Sequence, residues 1–322
     1  MTHTISQKNV RTRFAPSPTG YMHLGNVWIA FLNWLWTRQH KGEIVLRIED
    51  IDCQRCKAEY IRGIEEDLAW LGLDYDEGPG NTYDYGEPLQ SHRFPLYQSI
   101  LERWRENGDI YPCYCSRARL HGISSAPHEG DELPVYDGHC RHLTEEERNT
   151  MTKAPSWRVR MEPSEETFTD LFSGTHTLTL QPETDDFLIC RADGMVAYQL
   201  AVSIDDGAMG MTHVFRGNDL LSSTYYQTYL LKKLGYTVPT YAHLPLLVDA
   251  TGVRLSKRQH GITIRELQDA GKTPPDIIGL LLYYGGALPK PMPVSAEQAV
   301  RSISFEELTN LAKRHIVVNG DW

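Results

Sequence analysis

Apolar and polar residues alternate from Val10 to Phe14, the period of a short strand. Beyond a turn holding Pro16, Pro18, Gly20 and Gly25, residues Val27, Ile29, Ala30, Phe31, Trp34 and Leu35 fall on one helical face. EIVLRIED (43–50) reads as a buried strand ending in acids. Residues 57–71 read as an amphipathic helix with Ile61, Ile64, Leu68 and Leu71 on one side. Strand, helix, strand, helix in this order predicts an α/β fold with a doubly wound, Rossmann-type parallel sheet whose ligands bind at the carboxyl ends of its strands. From Tyr111 to about Asp185 the pattern breaks into clustered cysteines, the loop-like GISSAPHEGDELP and the β-like TFTDLFSGTHTLTL. The α/β pattern resumes at FLICRADGMVAYQLAVSIDD. After Ile262 the stretches IRELQDAG, PPDIIGLLLYYGG and SFEELTNLAKRH read as helices. The expected division is a catalytic domain in two halves (1–110 and 186–262), an insertion (111–185) and a small helical carboxyl-terminal unit (263–322).

Composition narrows the class. The chain has 322 residues, 41% hydrophobic and 23% charged, as a soluble globular protein has. Its net charge of −10 argues against a general basic coat for nucleic acid but leaves room for a local basic groove. No apolar signal region opens the chain and no run of about 18 apolar residues follows, so a cytoplasmic protein without a membrane partner is expected. Six cysteines in a chain of this length suit thiols or metal ligands better than a disulfide framework.

Two stretches carry chemistry. RFAPSPTGYMHLGN (13–26) is a strand-to-helix turn where glycine permits close approach of a large ligand and the helix amino-terminus attracts phosphate. GVRLSKRQHG (252–261) is a loop whose Arg254, Lys257 and Arg258 can follow charge onto a leaving pyrophosphate. Taken singly, each has a plainer reading as an ordinary capped βα loop or a solvated basic turn. Cys113 and Cys115 form a C-x-C pair, with Cys140 25 residues after Cys115; these are candidate zinc ligands, or else buried free thiols. Cys53-Gln54-Arg55-Cys56 also has a redox-pair spacing, but it opens a helix and reads as incidental.

The order of the motifs changes those odds. His23-Leu24-Gly25-Asn26 early and Arg254-Leu255-Ser256-Lys257-Arg258 late resemble the HIGH and KMSKS signatures of class I aminoacyl-tRNA synthetases. With RFAPSPTG, RIEDID and FRGNDLLSST, the resemblance narrows to the glutamyl branch and covers almost the whole chain. The chain stops about 60 residues beyond the KMSKS-like loop, and CYCSRARL…YDGHCR is similar to the short paralogues that esterify the queuosine base in the anticodon of tRNA(Asp). That resemblance implies no anticodon-binding domain, activation of L-glutamate by ATP with Mg2+, the tRNA(Asp) anticodon stem-loop as partner, and a monomer. It also implies ATP binding by His23, Gly25, Asn26 and Lys257, with His23 and Lys257 catalytic, and glutamate binding by Arg13, Ala15, Ser17, Glu49, Tyr198 and Arg216. Asp205 and Asp206 are expected to support that site structurally. One structural zinc is implied on Cys113, Cys115, Tyr136 and Cys140. His142, which matches the C-x-H ending of some full-length glutamyl enzymes, competes for the fourth place, and the closer YDGHC match favours Tyr136. Rival readings are a truncated enzyme charging tRNA(Glu), a silent tRNA-binding paralogue, and a nucleotidyltransferase that adenylates a small acid.

Overall fold

The structure is a computed structural model and describes residues 10–80, 86–116, 119–120, 136–255 and 262–318. β1 (Arg11–Phe14) leads through the proline-bearing turn into α1 (Leu24–Gln39), and β2 (Glu43–Leu46) pairs with β1 in parallel. α2 (Ala58–Leu71) and α3 (Phe94–Glu106) follow, then β3 (Ile110–Cys113), α4 (Glu145–Asn149) and β4 (Ser156–Val159). The hairpin β5 (Ser164–Asp170) and β6 (Gly174–Leu180) precedes β7 (Leu188–Cys190) and α5 (Tyr198–Ala208). β8 (His213–Gly217), α6 (Ser223–Lys233), β9 (Thr240–Leu244) and β10 (Leu246–Val248) complete the α/β part. α7 (Ile264–Asp269), α8 (Pro274–Gly285), α9 (Ala296–Ser302) and β11 (His315–Val317) end it.

The sheets are mixed. β8 and β9 run parallel, and β1 lies beside β8, joined where the Thr212 N–H donates to the Arg11 carbonyl at 2.9 Å. This brings the two sequence halves side by side, as the doubly wound expectation requires. The antiparallel hairpin β5–β6 lies within the stretch read as the insertion, yet β5 continues the β8–β9 sheet through Asp170 opposite Tyr241. A separate antiparallel trio, β3–β4–β7, supports the cysteine cluster.

α1 is apolar around most of its circumference because it is packed on several sides. Val27, Phe31, Leu32 and Leu35 are buried with Leu46 and Ile48 on one side and with Ile278, Leu281 and Leu282 of α8 on another. Each such side chain is worth about 1.5–3 kcal/mol of burial. The carboxyl-terminal helices therefore share the core of the first half, with α9 against α1 and α8 against α2. Two expectations for this region are corrected. Residues 304–315 do not form a helix: a short 3-10 turn at Phe305–Glu307 stops where the Asn310 N–H is taken by the Gly285 carbonyl. The chain then ends in a strand, β11, parallel to β10, so the unit is not purely helical. Among the described residues no helix is long and apolar enough to cross a membrane.

Candidate functional site

The carboxyl end of β1 does not stop at Phe14. The Phe14 carbonyl accepts the Arg47 N–H at 3.0 Å, and the Pro16 carbonyl accepts the Glu49 N–H at 3.0 Å, so the turn is stitched to the RIED segment that continues from the end of β2. It thereby forms one wall of a cleft of about 660 Å³. Arg13, Ala15, Ser17, His23, Asn26, Glu49, Tyr198, Arg216 and Arg254 all line this cleft, joined by Arg55 and Leu220. Nine residues named from sequence thus share one cavity, although more than 200 positions separate the first from the last.

At one end, His23 caps α1. Its Nδ1 accepts the Gly25 N–H at 3.1 Å, and its own N–H donates to Asn26 Oδ1 at 3.2 Å. With Nδ1 accepting, the proton of the neutral ring sits on Nε2. A Cβ on Gly25 would stand 2.9 Å from the His23 ring and 3.4 Å from the Leu255 carbonyl, so only glycine fits the turn without displacing the ring. The same turn is tied beyond the basic loop, where the Leu24 N–H meets the Ile262 carbonyl at 3.3 Å and the Ile264 N–H meets the Met22 carbonyl at 2.9 Å. Leu255 and Ile262, on either side of residues 256–261, therefore both abut the start of α1. Lys257 itself lies outside the described residues. Arg254, just ahead of the loop, pairs with Asp219.

At the other end, four charges interlock. Asp206 Oδ1 accepts from Arg13 Nε at 2.9 Å and pairs with Arg47 Nη1 at 2.6 Å, while Arg47 Nη2 reaches Glu49 Oε1 at 3.1 Å. Arg13 Nη1 donates to the Phe215 carbonyl at 3.1 Å. Burial disfavours ionised Asp206, but the charges and hydrogen bonds of Arg13 and Arg47 outweigh it and hold its carboxyl below the usual range. Glu49 moves the other way: burial raises it, and Arg47 and Arg13 offset that only in part. Asp205 serves the scaffold, accepting from Gln90, Arg93 and Tyr97. The structural part expected of the two aspartates is what the geometry shows. Arg47, buried on every side, pairs with Glu49 two positions on, a pair the sequence itself suggests; its tie to Asp206 is not visible there.

Arg216 faces the cleft from β8. Its Nε donates to His243 Nε2 at 3.1 Å, its terminal nitrogens donate to Gln227 and Thr224, and its face covers the Tyr241 ring at 4.8 Å. None of these partners is a carboxylate.

The cysteines form a second site. The sulfurs of Cys113, Cys115 and Cys140 lie within 4.8 Å of one another. The Tyr136 hydroxyl is 3.9 Å from Cys113 Sγ and accepts the Cys140 N–H at 2.9 Å, with the Arg158 guanidinium over its ring. His142 turns outward to Glu183, its side chain 69% exposed. A hydrogen bond from Cys140 and the charge of Arg158 outweigh burial and hold the Cys113 thiol well below its ordinary value. The donor set suits a thiophilic cation, since three cysteine sulfurs converge on one place.

Comparison with known proteins places this geometry. Residues 9–315 match the family described as tRNA synthetases class I (E and Q), catalytic domain. A protein of Symbiobacterium thermophilum named glutamyl-Q tRNA(Asp) synthetase is 45% identical over 89% of this chain and 90% of its own. One of the same name from Nitratidesulfovibrio vulgaris is 44% identical over 93% of each. The crystal structure of the glutamate-tRNA synthetase of Elizabethkingia anophelis superimposes with a TM-score of 0.78 at 26% identity, covering 97% of this chain and 68% of that one. The chain belongs to the class I tRNA synthetases of the glutamate and glutamine (E and Q) group.

Proposed function

We propose that this protein is an ATP-dependent ligase that activates L-glutamate as glutamyl-adenylate and transfers it to the queuosine base in the anticodon of tRNA(Asp). The observation that carries this reading is the 44–45% identity to two proteins bearing that name, over nine-tenths of each. The cleft supplies the chemistry the reaction needs. In-line attack of the glutamate α-carboxylate on the ATP α-phosphorus calls for positioning and anion stabilisation more than for proton transfer. His23 Nε2–H, the Gly25–Asn26 end of α1 and Lys257 receive the phosphates, with Lys257 meeting charge as it develops on the leaving pyrophosphate. Mg2+ bound with ATP would share in neutralising the phosphate charge. Arg13 and Arg216 take the two carboxylates of glutamate and Glu49 its ammonium, while Ala15, Ser17 and Tyr198 shape the pocket between them.

The zinc assignment follows the same logic. Cys113, Cys115 and Cys140 hold one structural zinc, and Tyr136, whose hydroxyl adjoins Cys113, is its fourth ligand in preference to His142. Bound there, the ion would fasten the segments on either side of the 117–135 stretch. We read residues 1–110 and 186–262 as the catalytic halves, 111–185 as the zinc-bearing insertion and 263–322 as a carboxyl-terminal unit. The protein acts in this account as a cytoplasmic monomer.

The test has two stages. Glutamate-dependent ATP–pyrophosphate exchange is expected without any tRNA, and labelled glutamate is expected to join tRNA(Asp) only when queuosine is present. Charging of tRNA(Glu), or exchange that starts only on adding tRNA, overturns the reading.

A further inference from the structure

Behind Arg216 lies a buried pair that the activation chemistry has not yet used. Asp170 at the end of β5 and His243 in β9 are 73 positions apart, and both side chains are essentially inaccessible to solvent. Asp170 Oδ2 accepts from His243 Nδ1 at 2.8 Å and from the His243 backbone N–H at 2.8 Å. Its Oδ1 accepts from the N–H groups of Phe172 and Ser173 and from the Ser173 hydroxyl, at 2.9 to 3.0 Å. A carboxylate receiving five hydrogen bonds is ionised, and an ionised carboxylate only accepts. Nδ1 of His243 therefore carries a proton. On the far side of the ring Nε2 faces the Thr224 hydroxyl at 3.0 Å, which can donate or accept, and the Arg216 Nε–H at 3.1 Å, which can only donate, so Nε2 offers its lone pair.

We infer that Asp170 and His243 are positioning residues for amino-acid recognition: the carboxylate fixes the histidine tautomer, and the histidine aims the Arg216 guanidinium into the cleft while leaving its charge uncompensated for a substrate carboxylate. The inference rests on the assignment of Arg216 to glutamate. A carboxylate in the place of His243 would hold the guanidinium equally well but would neutralise it before substrate arrived. A neutral imidazole acceptor orients without neutralising. Thr224 and Gln227 on α6 follow the same rule, being neutral acceptors for the other two nitrogens.

The charged groups around the imidazole agree. Burial, Arg216 on β8 and His176 on β6 all disfavour a second proton; only Asp170 on β5 favours one, and the balance leaves His243 at about 4. Tyr241, stacked on the ring from β9, is kept neutral because burial pushes its phenol up to about 12. A doubly protonated ring would set N–H against N–H at Arg216.

The first experiment reads the tautomer in the unmodified full-length protein by long-range 1H–15N correlation of the histidine rings, with His243 assigned by its loss in His243→Gln. A neutral Nδ1–H ring is expected across roughly pH 5–8. An Nε2–H ring or an imidazolium in that window overturns the inference. The second compares His243→Gln, whose amide oxygen reaches the place of Nε2, with His243→Asn, whose amide ends near Nδ1. In glutamate-dependent exchange, His243→Asn should raise the KM for glutamate roughly 10–100-fold, with turnover and the KM for ATP little changed, and His243→Gln should recover most of it. Equal impairment of the two variants reduces His243 to a packing residue and overturns the inference. Arg216→Gln separates this from the underlying assignment. An unchanged glutamate KM in Arg216→Gln removes Arg216 from the glutamate site. A raised KM there with none in His243→Asn removes only the positioning role.

Discussion

Arg13 and Arg216, which both line the cleft, are held in opposite ways. Arg13 sits in a lattice of charges, sharing Asp206 with Arg47, which in turn holds Glu49. Arg216 sits among neutral acceptors, His243, Gln227 and Thr224. An ion-pair lattice fixes geometry strongly but spends its charge internally, since each carboxylate that offsets a cation's desolvation also neutralises it. Neutral acceptors fix geometry less strongly and leave the charge to act outward. One wall of the cleft is therefore organised chiefly for shape, the other for field. A substrate with two carboxylates and one ammonium meets both walls.

The largest expected effect comes from breaking the lattice. Asp206→Asn leaves Arg13 and Arg47 without their shared carboxylate, and removing one partner from a buried pair costs about 3–5 kcal/mol. Urea unfolding should show that loss at neutral pH. The pH dependence follows from the sign of the shift. The folded-state pKa of Asp206 is depressed, so its contribution is complete above the ordinary carboxylate value of about 4 and is lost as pH falls through the depressed one. The Asp206→Asn variant should lack that part of the acid destabilisation; identical acid limbs in the two proteins would contradict the lattice.

Next in size is Lys257→Ala, which removes the cation proposed to meet the leaving pyrophosphate. If it meets charge present mainly in the transition state, adenylate formation should slow by about 10²–10³, with glutamate binding little changed. Unchanged turnover with only a raised KM for ATP would deny it that role.

Smaller effects distinguish the arginines as readers of substrate. Glutamate and glutamine are nearly isosteric, so charge must separate them. Arg13→Leu should weaken glutamate activation and narrow the preference over glutamine, each unpaired group costing about 1–3 kcal/mol. Exchange rates for both amino acids measure it. Full selectivity retained in Arg13→Leu transfers the γ-carboxylate to Arg216.

The smallest effect is expected away from the cleft. Tyr136→Phe deletes one oxygen from the cysteine cluster and should lower zinc content after competition with a chelator, with exchange activity nearly intact. Zinc retained in Tyr136→Phe and lost in His142→Ala would exchange their roles.

Sequence periodicity foretold what depends on neighbours along the chain. β1, α1 and α2 lie where the alternation and the 3.6-residue face placed them, and β2 takes the first half of the expected 43–50 strand, because their apolar side chains share one core. It misled over residues 304–315, where Leu308 and Leu311 are buried at helical spacing but the backbone is claimed by Gly285 and by β10. It also carried no sign that the hairpin at 164–180 extends the β9 sheet, since strand pairing depends on residues far away in sequence. The cleft was legible because its motifs recur as short ordered strings. Asp170 and His243 were not, nor was the tie of Arg47 to Asp206, because each depends on a partner distant in sequence. Between Tyr136 and His142 the YDGHC match leaned to Tyr136, and the two differ in burial: one lies beside Cys113, the other at the surface beside Glu183.

The central claim concerns where glutamate ends up. The most direct measurement charges queuosine-containing tRNA(Asp) with labelled glutamate, cuts it with a base-specific ribonuclease and locates the added mass by mass spectrometry. The account predicts the label on the anticodon fragment that carries queuosine. Label on the 3′-terminal adenosine would contradict it.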